Sequence, residues 1–203
     1  MNSKEGKLIV FEGPDGVGKS SIAAGLYKHF LSQSIDCSLM SFPGNEEGTV
    51  GKLIYSLHHN PIHFGLKSIQ PVSLQMMHIA AHVDAIETRI LPKLKSGQII
   101  ILDRFWWSTW VYGKIAAVNP LALNAMIEVE KVSWNVVKPA GVFLLARSSP
   151  LKESHDSGEW KHLVQTYKEI ADIEKEYYPI HIIINELSIE ETLEQIINIT
   201  RRI

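Results

Sequence analysis

The chain has one cysteine, Cys37, so it cannot close a disulfide within itself, and a reducing compartment is expected. It also lacks an excess of positive charge: 20 Lys plus Arg stand against 22 Asp plus Glu, for a net charge of −2. That balance gives no sign of the broad electropositive field that binding duplex nucleic acid usually needs, and no nucleic acid polymer is expected as a partner. No apolar run approaches the roughly 20 residues that span a bilayer. The segment Met1 to Lys7 is polar and short and has no signal-peptide h-region, so a cytoplasmic protein without a membrane partner is expected. Nine histidines are present, but His58, His59 and His63 have no cysteine companions and no H-E-x-x-H spacing, which argues for a polar loop over a metal site. Repeats and linker-like stretches are missing too, and a single domain over 1–203 is expected.

With 45% apolar residues the chain can bury a large core. Short β-branched runs, Leu8 to Phe11, Cys37 to Phe42, Ile99 to Leu102, Gly141 to Leu145 and His181 to Ile184, alternate with longer amphipathic stretches. Alternation of this kind signals βαβ units, and four of the five runs are nearly continuous apolar stretches, as strands covered on both faces would be. The expected fold is α/β, a three-layer, doubly wound, five-stranded parallel sheet. Helices are predicted at Lys19 to Ser32, Val50 to His58, Ser73 to Lys95, Ser108 to Ala117, Leu121 to Ser133, Glu159 to Glu176 and Ser188 to Arg202. Ser188 with Glu191 three residues on reads as a capping box. Pro43 to Gly48, Asn60 to Pro71 and Ser148 to Gly158 are read as functional loops at one edge of the sheet.

The segment Gly13-Pro14-Asp15-Gly16-Val17-Gly18-Lys19-Ser20 fits G-x-x-x-x-G-K-[ST] between a strand and a helix. Glycines in that pattern let backbone N–H groups turn inward on phosphate oxygens, and the helix dipole adds roughly half a positive charge. ATP with Mg²⁺ is the expected occupant, bound by Gly13, Asp15, Gly16, Val17, Gly18, Lys19, Ser20 and Ser21. Lys19 would reach the β- and γ-phosphates, and the Ser20 hydroxyl would ligate Mg²⁺. No N-K-x-D guanine motif occurs, which sets a GTPase aside. The run Gln98 to Leu102 ends in Asp103, the shape of a carboxylate that positions Mg²⁺ at the carboxyl end of a strand. Arg104 follows and offers a fork for a phosphate, the rival reading being that Asp103 and Arg104 cap a strand and pair with each other.

Together these residues resemble the thymidylate kinase family over nearly the whole chain. Phe11 to Ser21 is similar to its phosphate loop, which carries an acid at the place of Asp15. Asp103-Arg104-Phe105 with Ser108, Thr109 and Tyr112 resembles its D-R-[YH]-x-x-S-x-x-A-Y segment. Ser41-Phe42-Pro43 with Gly48 to Ile54 resembles its second-strand loop, and Ala80 to Pro92 its long helix over the acceptor nucleotide. The resemblance implies transfer of the γ-phosphoryl group of ATP to dTMP, with Mg²⁺, on a homodimer. By it Asp15 approaches the 3′-hydroxyl and the transferring phosphates, Arg104 holds the acceptor phosphate, Tyr112 lies against the sugar and Thr109 near the base edge. Phe42 and Pro43 would wall the acceptor pocket, and Ser108 would belong to the same acceptor side.

The chain departs from the family's pattern at several of these places. Where the second-strand loop usually carries an arginine, the sequence reads Pro43-Gly44-Asn45-Glu46-Glu47, a cation lost and two acids gained. His78 and His82, spaced i, i+4, align with the family's base-stacking aromatic and base-reading arginine; acceptor hydrogen bonding, a Zn²⁺ pair and plain packing all fit two histidines on one helix face. The lid, approximately 147–160, has Lys152 but no arginine after Arg147, and Val17 excludes the variant with an arginine inside the phosphate loop. An arginine at the transition state contributes about 10³ to 10⁵ in rate, so Arg147, Lys152 or Lys161 would have to stand in for it. Alternatively, the chain is a kinase for another nucleoside or nucleoside monophosphate, or a catalytically weak ATP-binding relative. Trp106, Trp107 and Trp110 read as core or dimer face more readily than as base-stacking groups, and Met76 and Met77 as packing.

Overall fold

The computed structural model describes residues 5–135, 137–151 and 157–203. In chain order these form β1 (Leu8–Glu12), α1 (Lys19–Ser32), β2 (Cys37–Ser41), α2 (Val50–His59), a 3₁₀ turn (Pro61–Phe64) and α3 (Pro71–Ala85). A π-helical segment (Ile86–Ile90), α4 (Leu91–Lys95), β3 (Ile99–Asp103), α5 (Trp106–Ile115) and α6 (Pro120–Trp134) follow. The chain continues through β4 (Gly141–Ala146), α7 (Ser157–Glu174), β5 (Ile180–Ile184) and α8 (Ile189–Thr200). All strand pairs are parallel, in the order β2-β3-β1-β4-β5.

Side chains alternate faces along a strand, and β1 uses this to serve two cores. Leu8 and Val10 pack with β3, α3, α5 and α6 on one side, while Ile9 and Phe11 pack with Ile22, Leu26, Phe143 and Ile196 on the other. Both faces of the inner strands are therefore covered, and all residues of β1 and β4 are buried. Edge strand β5 departs from that expectation: Ile182 and Ile184 are exposed, β5 pairing with β4 on one side alone among the described residues.

Chain connections leave β1 toward β2 and β3 toward β4, in opposite directions across the sheet. A crevice opens outside the carboxyl ends of strands at such a switch. Register puts Phe11 beside Asp103 and Glu12 beside Leu144, so the ends of β1 and β3 meet there.

Helix boundaries follow local chemistry. Asn119 accepts from the N–H groups of Leu121 and Ala122 ahead of Pro120, and the Ser188–Glu191 capping box is formed, so α8 starts after Ser188. The expected Ser73 to Lys95 helix is a rod interrupted by the π segment. Gly158, expected in a loop, lies in the first turn of α7, and Asn60 to Pro71 contains the 3₁₀ turn.

Candidate active site

The loop between β1 and α1 needs glycine for steric reasons. Gly13 has φ 136°, and a Cβ there would stand 2.3 Å from the Leu145 carbonyl oxygen. Gly18, the residue before α1, has φ 91°, and its Cβ would meet the Asn185 amide at 2.7 Å. The Asn185 side chain donates to the Val17 carbonyl at 2.7 Å and accepts from Thr192 Oγ1 at 2.9 Å, pinning the loop from the end of β5. With no side chain on the loop's glycines, its backbone can close around a polyanion at the start of a 14-residue helix.

Lys19 is almost fully buried, and its ammonium donates to the carbonyls of Gly13 at 2.7 Å and Pro14 at 2.8 Å. Burial, and then the nearby Arg104 charge, pull its pKa down to about 8 against the opposing pull of Asp15, Glu12 and Asp103. Ser20 Oγ donates to Asp103 Oδ2. Asp103 Oδ1 is buried and has no hydrogen-bond partner among the described residues. A hydroxyl beside a carboxylate with a spare oxygen is a hard-donor set that fits a divalent cation such as Mg²⁺.

Arg104 does not pair with Asp103. Its backbone sits at φ 82°, and its guanidinium donates through Nη2 to Asp15 Oδ1 and through Nη1 to Ser108 Oγ at 3.1 Å. Tyr112 donates its hydroxyl to Asp15 Oδ2 at 3.0 Å, and the Asp15 N–H returns a bond at 3.3 Å. Burial raises the Asp15 pKa, but Arg104, Lys19 and these hydrogen bonds outweigh it and hold the carboxyl below its ordinary value. Burial and the adjacent Asp15 push the Tyr112 phenol up, so at neutral pH it is a donor.

The structure brings Asp15, Lys19, Arg104, Ser108 and Tyr112 into one connected group, with Ser20 and Asp103 beside it. On the α3 side Phe42 is buried, its ring 4.3 Å from His82 and 5.8 Å from Trp134, next to the cis Phe42–Pro43 peptide. Thr109 is buried as well. The Nδ1 of His82 is bonded to Glu130 Oε2 at 2.6 Å, and the fully buried Glu130 also accepts from Trp134 Nε1 at 3.2 Å. No group of three or more His, Cys, Asp or Glu among the described residues is placed to hold a metal. His78 lies 3.4 Å from the His58 ring nitrogen. Burial, and then His82, His58, His59 and Arg104, lower its pKa to about 3, so it is uncharged at neutral pH.

The two acids of the second-strand loop are both neutralised. Arg89, carried in by the π segment, donates to Glu46 at 3.0 Å, and Lys52 lies 3.7 Å from Glu47. A cation therefore does reach this loop, from a place 43 residues away that the local sequence does not reveal.

Arg147 donates to the carbonyls of Asn185 and, at 3.2 Å, Ser149, and pairs with Glu186 at 3.3 Å. No contact among the described residues joins it to Asp15, Lys19 or Arg104. Lys152 and the middle of the expected lid lie outside the described residues, and Lys161 is exposed on α7. Trp107 is wholly buried and Trp106 nearly so, which removes Trp107 as a base-stacking group; Trp110 is half-buried beneath Lys114. Met76, expected as packing, is 57% exposed. Glu12, Arg89, Glu130 and Asn185 are the site residues that sequence reasoning passed over. Only Glu12 had a visible signal, an acid ending an apolar strand just as Asp103 does.

Residues 11–196 match the family model described as thymidylate kinase. Thymidylate kinase of Neorickettsia sennetsu is 28% identical over 200 residues, covering 96% of this chain and 94% of that protein. That of Thermoanaerobacter sp. (strain X514) is 25% identical over 208 residues, covering 85% and 99%. The crystal structure of thymidylate kinase from Ehrlichia chaffeensis superimposes with a TM-score of 0.74 at 19% identity, over 97% of this chain and 99% of that one, a likeness of fold.

Proposed function

The chain belongs to the thymidylate kinase family, and on that premise we propose that it transfers the γ-phosphoryl group of ATP to dTMP, giving dTDP and ADP. The observation that carries this reading is the Arg104 guanidinium, strung between Ser108 and Asp15 next to the glycine loop, where it would meet an acceptor's phosphate while Lys19 would serve the donor's.

Phosphoryl transfer needs two phosphates in line and neutralisation of the charge that spreads over the transferred group. The loop amides of Gly13, Gly16, Val17 and Gly18, with Ser21, cradle the donor phosphates. Lys19 leaves the two loop carbonyls and moves onto the β- and γ-oxygens. Ser20 and Asp103 would hold Mg²⁺, which when bound would supply neutralisation of phosphate charge. Asp15 keeps Arg104 aimed at the acceptor phosphate and meets the sugar's 3′-hydroxyl, with Tyr112 alongside. His78, His82, Thr109, Phe42 and Pro43 form the base side of the pocket. Arg147 reaches the transferring group by exchanging its Glu186 and carbonyl partners for phosphate.

Purified protein with Mg-ATP and dTMP is expected to form dTDP and ADP in equal amounts, followed by anion-exchange chromatography, and excess EDTA is expected to stop it. Turnover of another monophosphate with dTMP left untouched would overturn the acceptor assignment.

We place the protein in the cytoplasm as one domain over 1–203 acting as a homodimer. No helix among the described residues is long and apolar enough to cross a membrane, and cell fractionation tests the location. Leu53, Tyr55, Ile62, Phe64, Val72 and Met76 are exposed on α2, the 3₁₀ turn and α3, an apolar face that a second copy would cover. Sedimentation velocity reads the stoichiometry, a monomer being the contrary result.

A further inference from the structure

Glu12 ends β1 with 0% exposure, and its carboxylate meets four donors. Oε1 accepts from the N–H groups of Phe105 at 2.8 Å and Ser108 at 3.0 Å. Oε2 accepts from Ser108 Oγ at 2.8 Å and from the Gly13 N–H at 3.2 Å. Phe105 is the residue just before α5, and it offers no capping bond from its own side chain. The N–H of Phe105 and one first-turn N–H of that helix, that of Ser108, are thus satisfied from β1 by a carboxylate, which also suits the positive end of the helix dipole.

The proton inventory of Ser108 shows where this leads. Its hydroxyl has one proton and two lone pairs. The proton goes to Glu12, which accepts only; one lone pair receives Arg104 Nη1, and the Tyr167 hydroxyl at 3.0 Å supplies the third bond as donor. Burial works against the ionised carboxyl of Glu12 and raises its pKa, with Arg104, Lys19 and the Ser108 bonds pulling the other way. Arg104 itself stands at φ 82°, a conformation its side chain does not favour. Its backbone N–H is tied to the Phe11 carbonyl at 3.0 Å, immediately before Glu12. One buried carboxylate therefore anchors both the start of α5 and the hydroxyl on which the guanidinium rests.

We propose that Glu12 is a positioning residue that fixes the aim of Arg104 at the acceptor phosphate by capping α5 and orienting the Ser108 hydroxyl. The proposal rests on the acceptor role given to Arg104 above. Glu12 has no exposed surface against which a substrate could rest. Replacing it with glutamine keeps its shape but puts an NH₂ where donors already converge, so one of the two donor pairs loses its acceptor.

Glu12→Gln is expected to raise the KM for dTMP about 10- to 100-fold, with the KM for ATP changed less than about twofold. Ser108→Ala, which leaves all three backbone N–H bonds to Glu12 in place, is expected to raise the acceptor KM about three- to tenfold in the same selective way. In an Arg104→Ala background Glu12→Gln is expected to add less than about twofold, since the two act through one group. Equal effects on both substrates, or effects that multiply in the Arg104→Ala background, would overturn the proposal. If Glu12→Gln does not fold, an unchanged acceptor KM in Ser108→Ala overturns it alone. Failure of the unaltered protein to phosphorylate dTMP would instead count against the function, and the same variants are then read with whichever monophosphate it does turn over.

Discussion

Lys19→Ala is expected to lower kcat/KM for phosphoryl transfer by about 10³-fold or more, with any acceptor. The ammonium is the one cation whose bonds all go to the glycine loop and Asp15 among the described residues. Buried as it is, with its pKa drawn down to about 8 by desolvation and then by Arg104, its charge is poorly compensated before nucleotide arrives. Donor phosphates are the compensation it lacks, and in a water-poor site such a charge acts far more strongly than at a surface. Alanine removes that charge but not the scaffold. Gly18 still opens α1, with the Ile22 N–H bonded to its carbonyl at 3.1 Å, and Asn185 still holds Val17. Melting temperature is therefore expected to change by no more than a few degrees. Steady-state kinetics beside thermal unfolding checks both halves; a variant that keeps activity within tenfold of the parent would refute the role of Lys19.

Arg104→Gly is expected to lose use of phosphorylated acceptors without losing stability. A non-glycine residue in the left-handed region costs on the order of 1–3 kcal/mol, and Arg104 is held at φ 82° beside Asp15 and Ser108. Glycine relieves that strain. The lost ion pair with Asp15 returns little, since Asp15 is about half exposed and surface pairs contribute about 0–1 kcal/mol. The acceptor loses more, because a planar fork aimed at a phosphate is gone: the KM for dTMP is expected to rise about 10²-fold, with kcat falling as well. ATP binding should stay near the parent's. Chemical denaturation and acceptor kinetics on the same preparation separate the two effects. An unchanged KM for dTMP, or a strongly destabilised protein, would show that the strained backbone serves the fold and not the acceptor.

Much of the proposed donor half was legible in the chain. A phosphate loop is a contiguous backbone device, so eight consecutive residues between a strand and a helix specify it, and the parallel sheet follows from buried apolar runs separated by helical stretches. Asp103 was legible for the same reason. Boundaries were less so: Pro120 and Asn119 moved the start of α6, and the π segment interrupted a rod that periodicity reads as uniform.

Part of the proposed acceptor half was hidden because some of its partners are far apart in sequence. Glu46 looks like an uncompensated acid until the π segment brings Arg89 beside it, and His82 looks like a free imidazole until α6 brings Glu130 against it. Trp107 looks available for stacking until its burial is seen. By itself, then, the sequence determined what short stretches of chain can encode: the fold class, the glycine loop with Lys19 and Ser20, and the strand ending in Asp103. Tertiary structure alone decided which charges are paired, which rings are sealed in the core, and that Glu12 reaches α5 and Ser108. Those outcomes depend on through-space distance and on removal from water, and neither quantity is written in the spacing of residues along a chain.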